Sequence, residues 1–154
     1  MAVTKQKLNI KWAVLTFILA YVVLTILGFA LYFLVAALMH VSTSGTFNIR
    51  TDPAYMLSQQ LMVPGNLVTW IGFAWMYFRK TALTSMRHAW ILGGFWLVVA
   101  LPVDFIIYVL LPTPDQLTIS DYYAGQFPWI YLVYITVLIS PALYLLTRKW
   151  AARQ

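Results

Sequence analysis

Asp104 is the side chain of this sequence best placed to do chemistry, because it is the only carboxylate inside a membrane-length apolar run. That run is His88 to Pro112, HAWILGGFWLVVALPVDFIIYVLLP. A charge at mid-depth in lipid costs roughly 2.5 to 3.5 kcal/mol on insertion scales, so such residues usually face protein or water and often mark function. At about 100° per residue, Asp104 shares one helix face with small or polar neighbours. We expect this face, with Gly93, Leu97, Ala100 and Tyr108, to point into a helix bundle.

The opposite face of the same run is apolar and should meet lipid. It carries Ile91, Phe95, Val98, Phe105 and Val109. Pro102 precedes the acid by two residues and removes an amide donor while crowding the carbonyl four residues back. The sequence therefore predicts a kink or a loosened turn beside Asp104.

The composition identifies the class of protein in which this acid lies. The chain has 154 residues, of which 62% are hydrophobic, 17% aromatic and only 9% charged. Soluble domains carry about 25% charged residues, so this composition is typical of a membrane protein. The chain has no cysteine, which excludes disulfides and thiol redox chemistry. The net charge of +6 comes from short basic clusters at the ends of apolar runs, so it predicts membrane topology and not nucleic-acid binding.

Four apolar runs are long enough to cross a bilayer, and together they predict an all-α, integral membrane bundle of four transmembrane helices in one domain, 1–154. The first run is too long to be the 7 to 15 residue core of a signal peptide. Asp52-Pro53 has the form of a helix start, so a short helix over 53–60 should lead into the second span, whose Pro64-Gly65-Asn66 predicts an irregular first turn. The predicted spans are 12–39, 61–78, 88–112 and 129–147.

The basic residues predict the orientation of these spans. Nine of the ten Lys and Arg residues lie in the N-terminal tail, the 79–87 connection or the C-terminal tail. Four spans place these three segments on one side, which should be the cytoplasm. We therefore predict a multi-pass protein of the cytoplasmic (plasma) membrane with both termini inside and the lipid bilayer as its surroundings.

Counting from the outer end of each span places four polar residues at one depth. Tyr32, Asn66, Asp104 and Thr136 each lie about 7 to 12 Å below the predicted outer boundary, at 1.5 Å per residue. Trp70 and Tyr108, with Tyr32, would supply an aromatic wall around the acid. These six residues form the candidate ligand or proton site.

Two functions fit such a cluster. In the first, Asp104 would link the helices by a hydrogen bond to Asn66 or a tyrosine. The protein would then be a non-enzymatic accessory or interaction protein that binds another membrane protein or a second copy of itself. As a hydrated outer pocket, the cluster would bind a proton or an organic cation and serve a small-solute or proton-linked transporter. The chain has no internal repeat, so transport would favour a homo-oligomer.

Catalysis, as an intramembrane hydrolase, is a third hypothesis. Four spans with both ends inside resemble the architecture of lipoprotein signal peptidase, an aspartyl protease of bacterial membranes. That mechanism needs two carboxylates in one site, whereas Asp104 has no intramembrane partner and the loop acids Asp115 and Asp121 would reach it only by folding back. His40 and His88 lie at opposite ends of their spans and cannot share a haem iron. We expect no catalytic residue, metal or cofactor.

The predicted orientation is tested with fusions and tags. A reporter that is active only in the cytoplasm should be active when it is fused after Gln154. Tags at Thr43 or Thr118 should react with a membrane-impermeant reagent added outside the cell. An extracytoplasmic C terminus would contradict both the orientation and the comparison of depths.

Overall fold

Four long helices make up most of the chain. The computed structural model describes residues 8–41, 52–81, 85–112 and 116–153. In these ranges the fold is all-α, and the four long helices have the length and apolar composition needed to cross a membrane, which confirms the predicted fold class. The helices are α1 (Ile10–Leu38), α2 (Pro53–Thr81), α3 (Met86–Phe105, continued by a π-helical turn, Ile106–Leu110), α4 (Ile119–Tyr123) and α5 (Trp129–Ala151).

Helix α2 starts where the sequence predicts but has no break after its first turns. Asp52 caps it, its Oδ1 accepting hydrogen bonds from the amides of Ala54 (2.9 Å) and Tyr55 (3.0 Å). The predicted short helix and second span form one continuous helix, with Pro64 inside it. Pro64 and Gln60 are both exposed, so the carbonyl that loses its partner lies on the outside of the bundle. The predicted irregular turn is therefore wrong.

The four long helices pack in the cyclic order α1, α2, α5, α3, with a smaller contact between α3 and α1 closing the ring. Small residues at the contacts let the backbones approach closely, as is common where no water drives helices together. Aromatic rings fill the centre. Trp70 lies 5.8 Å from Phe17 and 5.0 Å from Trp96 between ring centroids, and the indole of Trp96 donates to the Ala13 carbonyl oxygen at 2.9 Å. The small residues with no exposed surface include Ala13, Ala20, Ala54, Ala74, Ala89 and Ser140.

Helix α3 places most of its predicted faces as expected up to Asp104, with Phe95 as an exception, and differs beyond it. Ala100 and Asp104 are buried, while Ile91 and Val98 are exposed. After Pro102 the helix widens into the π-helical turn, closed by a 2.9 Å bond from the Leu111 amide to the Ile106 carbonyl. This confirms the loosened turn.

The widened turn also changes which side chains face the bundle. A π turn holds more residues than an α turn, so the side chains after it are rotated. Val109 is consequently buried at 8% exposure and Tyr108 is 39% exposed, the reverse of the prediction for these two residues. Phe95 and Phe105, which precede this turn, are also partly buried against the core instead of facing lipid.

One end of the bundle is positively charged. The start of α1, the end of α2, the start of α3 and the end of α5 lie together there, and we call this the basic end. Lys80 lies 5.6 Å from the ring centre of Trp12, and Arg79 lies 5.3 Å from that of Trp75. Asp52 and Asp121 lie at the opposite end, the far end. The basic residues of the described ranges are all at the basic end: Lys11, Arg79, Lys80, Arg87, Arg148, Lys149 and Arg153.

Gly93 is the position where α3 lies directly on the backbone of α5. A Cβ at this position would collide with the Leu138 carbonyl oxygen, whereas a Cβ at Gly94 meets no atom within 4 Å. We expect Gly93→Ala to lower the free energy of unfolding in detergent by about 1 to 3 kcal/mol, because α3 and α5 must move apart. Gly94→Ala is the matched control and should be neutral or slightly stabilising. Equal stability of the two variants would contradict this packing.

Candidate functional site

Asp104 is buried and bonded by two phenols from different helices. The hydroxyl of Tyr21, on α1, donates to Oδ1 at 2.6 Å, and the hydroxyl of Tyr134, on α5, donates to Oδ2 at 2.9 Å. Only 9% of the Asp104 residue is exposed. Both carboxylate oxygens are therefore engaged by side chains of the protein itself, and the acid joins α1, α3 and α5.

Two further tyrosines extend this arrangement toward the far end. The hydroxyl of Tyr122, on α4, lies 3.0 Å from that of Tyr134, and the ring of Tyr108 stacks on the ring of Tyr122 at 5.8 Å. Burial raises the pKa of Tyr122 above its ordinary value, and the nearby Asp104 carboxylate raises it further. The Tyr122 hydroxyl thus keeps its proton and remains a donor. We call Asp104, Tyr21, Tyr108, Tyr122 and Tyr134 the Asp104–tyrosine cluster.

The register of α1 against α3 brings Tyr21 to Asp104. The two helices run parallel, and Trp96 bonds to Ala13 with a sequence separation of 83, the same separation as between Asp104 and Tyr21. The two contacts thus share one register, two turns apart. The Trp96 bond in the core and the Tyr21 bond to the acid therefore support the same alignment of the helices.

The end of α3 determines where Tyr122 lies. A helix leaves its last carbonyls without intrahelical partners, and here the following segment provides them. The Leu117 amide donates to the Tyr108 carbonyl, and the Gln116 side-chain amide donates to the Val109 carbonyl, both at 2.9 Å. The chain consequently turns back over the far end of the bundle before α4 begins.

Helix α4 is short and capped by its own sequence. The Thr118 hydroxyl accepts a bond from the Asp121 amide at 3.1 Å and donates to the Asp121 carboxylate at 2.7 Å. This reciprocal arrangement is close to a capping box. The loop does fold back on the membrane helices, as a second catalytic acid would require. The side chain that it delivers to Tyr134, however, is Tyr122.

Of the six predicted site residues, the structure places Asp104 and Tyr108 in the cluster and the other four elsewhere. The Tyr32 hydroxyl donates to Asp52 Oδ2 at 3.0 Å. Asn66 donates to the Met62 carbonyl at 3.1 Å, and Thr136 donates to the Val133 carbonyl at 2.7 Å. Both bonds stay within their own helices. Trp70 belongs to the aromatic core, and its indole nitrogen is buried with no hydrogen-bond partner in the described part of the chain.

The expected common depth of four polar residues is therefore wrong. Asp104 is level with Tyr21, eleven residues before Tyr32 in α1, which corresponds to about 16 Å along the helix. Counting from the end of the apolar run fails because α1 is longer than a bilayer requires, so its end does not mark the membrane boundary. Thr136 also lies below the depth of Asp104. Leu138, two residues further along α5, lies against Gly93, deep below the acid.

Three residues of the cluster were absent from the predicted site. Tyr21 lies on α1, the helix from which only Tyr32 was predicted to belong to the site. The spacing of Thr118 and Asp121 is a signal for a helix start that would have placed Tyr122 on a structured element. Tyr134 has no comparable signal in the sequence, and Thr136 was the residue of α5 that was predicted for the site.

A separate groove opens at the far end between the start of α2 and the turn that precedes α5. Its volume is about 350 Å³, and Asp104 is not among its lining residues. Gln126 is buried at 6% exposure, while Phe127 is 68% exposed. We call this feature the far-end groove. The residues that line it include Tyr55, Met56, Gln59, Gln126, Phe127 and Trp129.

The remaining described acids have structural partners. Asp52 caps α2 and accepts from Tyr32, and Asp121 caps α4. Asp115 lies outside the described residues. Over the described ranges, no three His, Asp or Glu side chains converge as a metal site would require.

Comparison with known proteins gives no further assignment. No protein-family model, no curated protein and no solved structure matches the chain.

Removing the hydroxyl of Tyr21 tests the bond to Asp104. Tyr21→Phe keeps the ring and leaves Oδ1 of a buried carboxylate without its donor, so we expect a loss of about 1 to 3 kcal/mol in the free energy of unfolding. Tyr131→Phe is the matched control, because Tyr131 is 42% exposed on α5. Denaturant unfolding in detergent measures the free energy of unfolding of both variants. Equal stability would show that Tyr21 does not support Asp104.

Proposed function

We propose that this chain is a small, non-enzymatic, multi-pass protein of the cytoplasmic membrane with both termini in the cytoplasm. It acts as an accessory or interaction protein, for another membrane protein or for a second copy of itself. The observation that carries this proposal is the closed hydrogen bonding of Asp104, whose two oxygens accept bonds from Tyr21 and Tyr134.

A buried carboxylate with this coordination is suited to hold helices together. It joins α1 to α5 through α3, and Tyr134 passes the connection on to Tyr122 of α4. A bond made to a charged acceptor is stronger than one between neutral groups. In a bilayer, water offers no substitute for these donors. The stabilising role therefore explains every polar contact that Asp104 makes.

The contacts of the other acids favour a protein that is not a hydrolase. An aspartyl mechanism places a second carboxylate beside the first so that the two share a proton. The group that reaches the Asp104 side of the bundle from α4 is a phenol, Tyr122, and the Asp121 carboxylate is bonded to Thr118. A phenol with a raised pKa donates a hydrogen bond and does not activate water.

One observation favours the transporter as a second candidate. Tyr108 is 39% exposed and lies within hydrogen-bonding reach of Tyr21, whose hydroxyl donates to Asp104. Such a chain would give a proton a path from the far end to the acid. Against this candidate, Asp104 is 9% exposed and does not line the far-end groove. The structural role is thus better supported.

Two substitutions of Asp104 distinguish these functions. Asparagine keeps an oxygen for the Tyr21 hydroxyl and offers an amide to Tyr134, whereas leucine leaves both hydroxyls without this partner. For a structural Asp104 we expect Asp104→Asn to be nearly neutral and Asp104→Leu to cost about 1 to 3 kcal/mol of unfolding free energy. Unfolding in a sugar-free detergent measures both variants.

The transporter predicts another pattern in the same variants. Both would fold, and both would lose pH-dependent binding of an organic cation, because neither carries a titrating carboxylate. A thermal-shift screen of organic cations at several pH values, on wild type and Asp104→Asn, detects this. A cation that stabilises only the wild type, with Asp104→Leu as stable as wild type, would overturn the structural proposal.

A further inference from the structure

The far-end groove differs from the Asp104–tyrosine cluster in having hydrogen-bonding capacity that the protein leaves open. Gln126 lines the groove, and only 6% of its surface is exposed. Within the described ranges, no hydrogen bond joins its side-chain amide to another residue, and the amide is not among the fully buried polar atoms, so it is accessible from the groove. A primary amide has two donors and an acceptor, so the Gln126 amide can bond a ligand that enters the groove.

A second polar group lies beside Gln126 in the same groove. Gln59 lines it from α2, within hydrogen-bonding reach of the Tyr55 hydroxyl. The two glutamines come from segments far apart in sequence, α2 and the turn before α5. The fold thus brings two amides and a phenol to one small volume.

The absence of charged side chains in the lining of the groove restricts the kind of ligand that can bind there. None of the lining side chains is ionised at neutral pH. A charged ligand buried there would have no partner of opposite sign, which is unfavourable. A purely apolar ligand, such as an acyl chain, would leave the Gln126 amide unbonded. The occupant is therefore uncharged and carries several hydrogen-bonding groups.

The remaining walls are aromatic or apolar. Phe127, Trp129 and the ring of Tyr55 line the groove with Met56. A volume of about 350 Å³ is at the small end of ligand pockets, which hold about 300 to 1,000 Å³. A hexose ring has this combination of features, because it presents C–H bonds on its faces and hydroxyls around its edge. Aromatic faces pack against the former, and amides bond the latter.

We propose that the far-end groove binds an uncharged hexose ring, with Gln126 and Gln59 bonding its hydroxyls and the aromatic side chains packing on its face. This inference goes beyond the function proposed above and does not depend on the role of Asp104. Two sources share this chemistry, a free sugar and the headgroup of a glycolipid.

The test uses the full-length protein in phosphatidylcholine nanodiscs that contain no sugar. Saturation-transfer NMR with the methyl glycosides of glucose, galactose and mannose measures binding of free sugar. Native mass spectrometry of nanodiscs doped with glucosyl or galactosyl diacylglycerol measures retention of the lipid. Binding in the first experiment assigns a free sugar, and lipid retention without binding of methyl glycosides assigns the headgroup. No saturable binding in either experiment overturns the proposal.

Variants connect the binding to the groove. Gln126→Leu should weaken binding about tenfold, the effect of one lost hydrogen bond. Gln60→Leu is the matched control, because Gln60 is the exposed neighbour of Gln59 and does not line the groove. Phe127→Ala provides an independent test if Gln126→Leu does not fold, since Phe127 is 68% exposed and its removal leaves the core intact. Binding that is unchanged in both groove variants would overturn the assignment to this groove.

Discussion

A carboxylate buried among membrane helices needs hydrogen-bond donors, and the way this chain supplies them determines how its helices are arranged. The donors at Asp104 are phenols and not a basic side chain. A tyrosine suits this task because its ring is compatible with an apolar bundle while its hydroxyl carries one donor at the end of a long, stiff side chain. Reaching Asp104 from α1 and from α5 requires both helices to lie at a fixed height against α3.

The widened turn after Pro102 connects this cluster to the loop beyond α3. The turn exposes the carbonyls of Tyr108 and Val109 to the following segment, which bonds them and reverses direction. Helix α4 then places Tyr122 between Tyr108 and Tyr134. An unbroken α-helix would present different carbonyls and a different face at this point. The proline beside the acid thus acts on the cluster through the loop as well as through the helix.

The number of membrane helices and their approximate bounds followed from the sequence, because apolar runs of this length have few other solutions in a bilayer. The partners of Asp104 did not. They depend on the relative heights of different helices, and the end of an apolar run such as α1 does not fix a height. Tyr32 was placed with the acid by counting, yet its hydroxyl bonds Asp52. The continuity of α2 through Pro64 likewise depends on where the freed carbonyl faces, which hydropathy does not reveal.

The contrast between the two polar features of the far end assigns them different roles. In the Asp104–tyrosine cluster, the polar atoms of Asp104, Tyr21, Tyr122 and Tyr134 bond to one another, so a ligand entering there would have to break bonds before making its own. In the far-end groove, the Gln126 amide is bonded by no described residue, so a ligand can bond it without first breaking a bond within the protein. Tyr55 lines the groove and lies near Tyr108 at the edge of the cluster. A rigid, self-bonded cluster next to an open groove is the arrangement expected when one part of a small bundle holds the helices in place and the adjacent part meets a ligand.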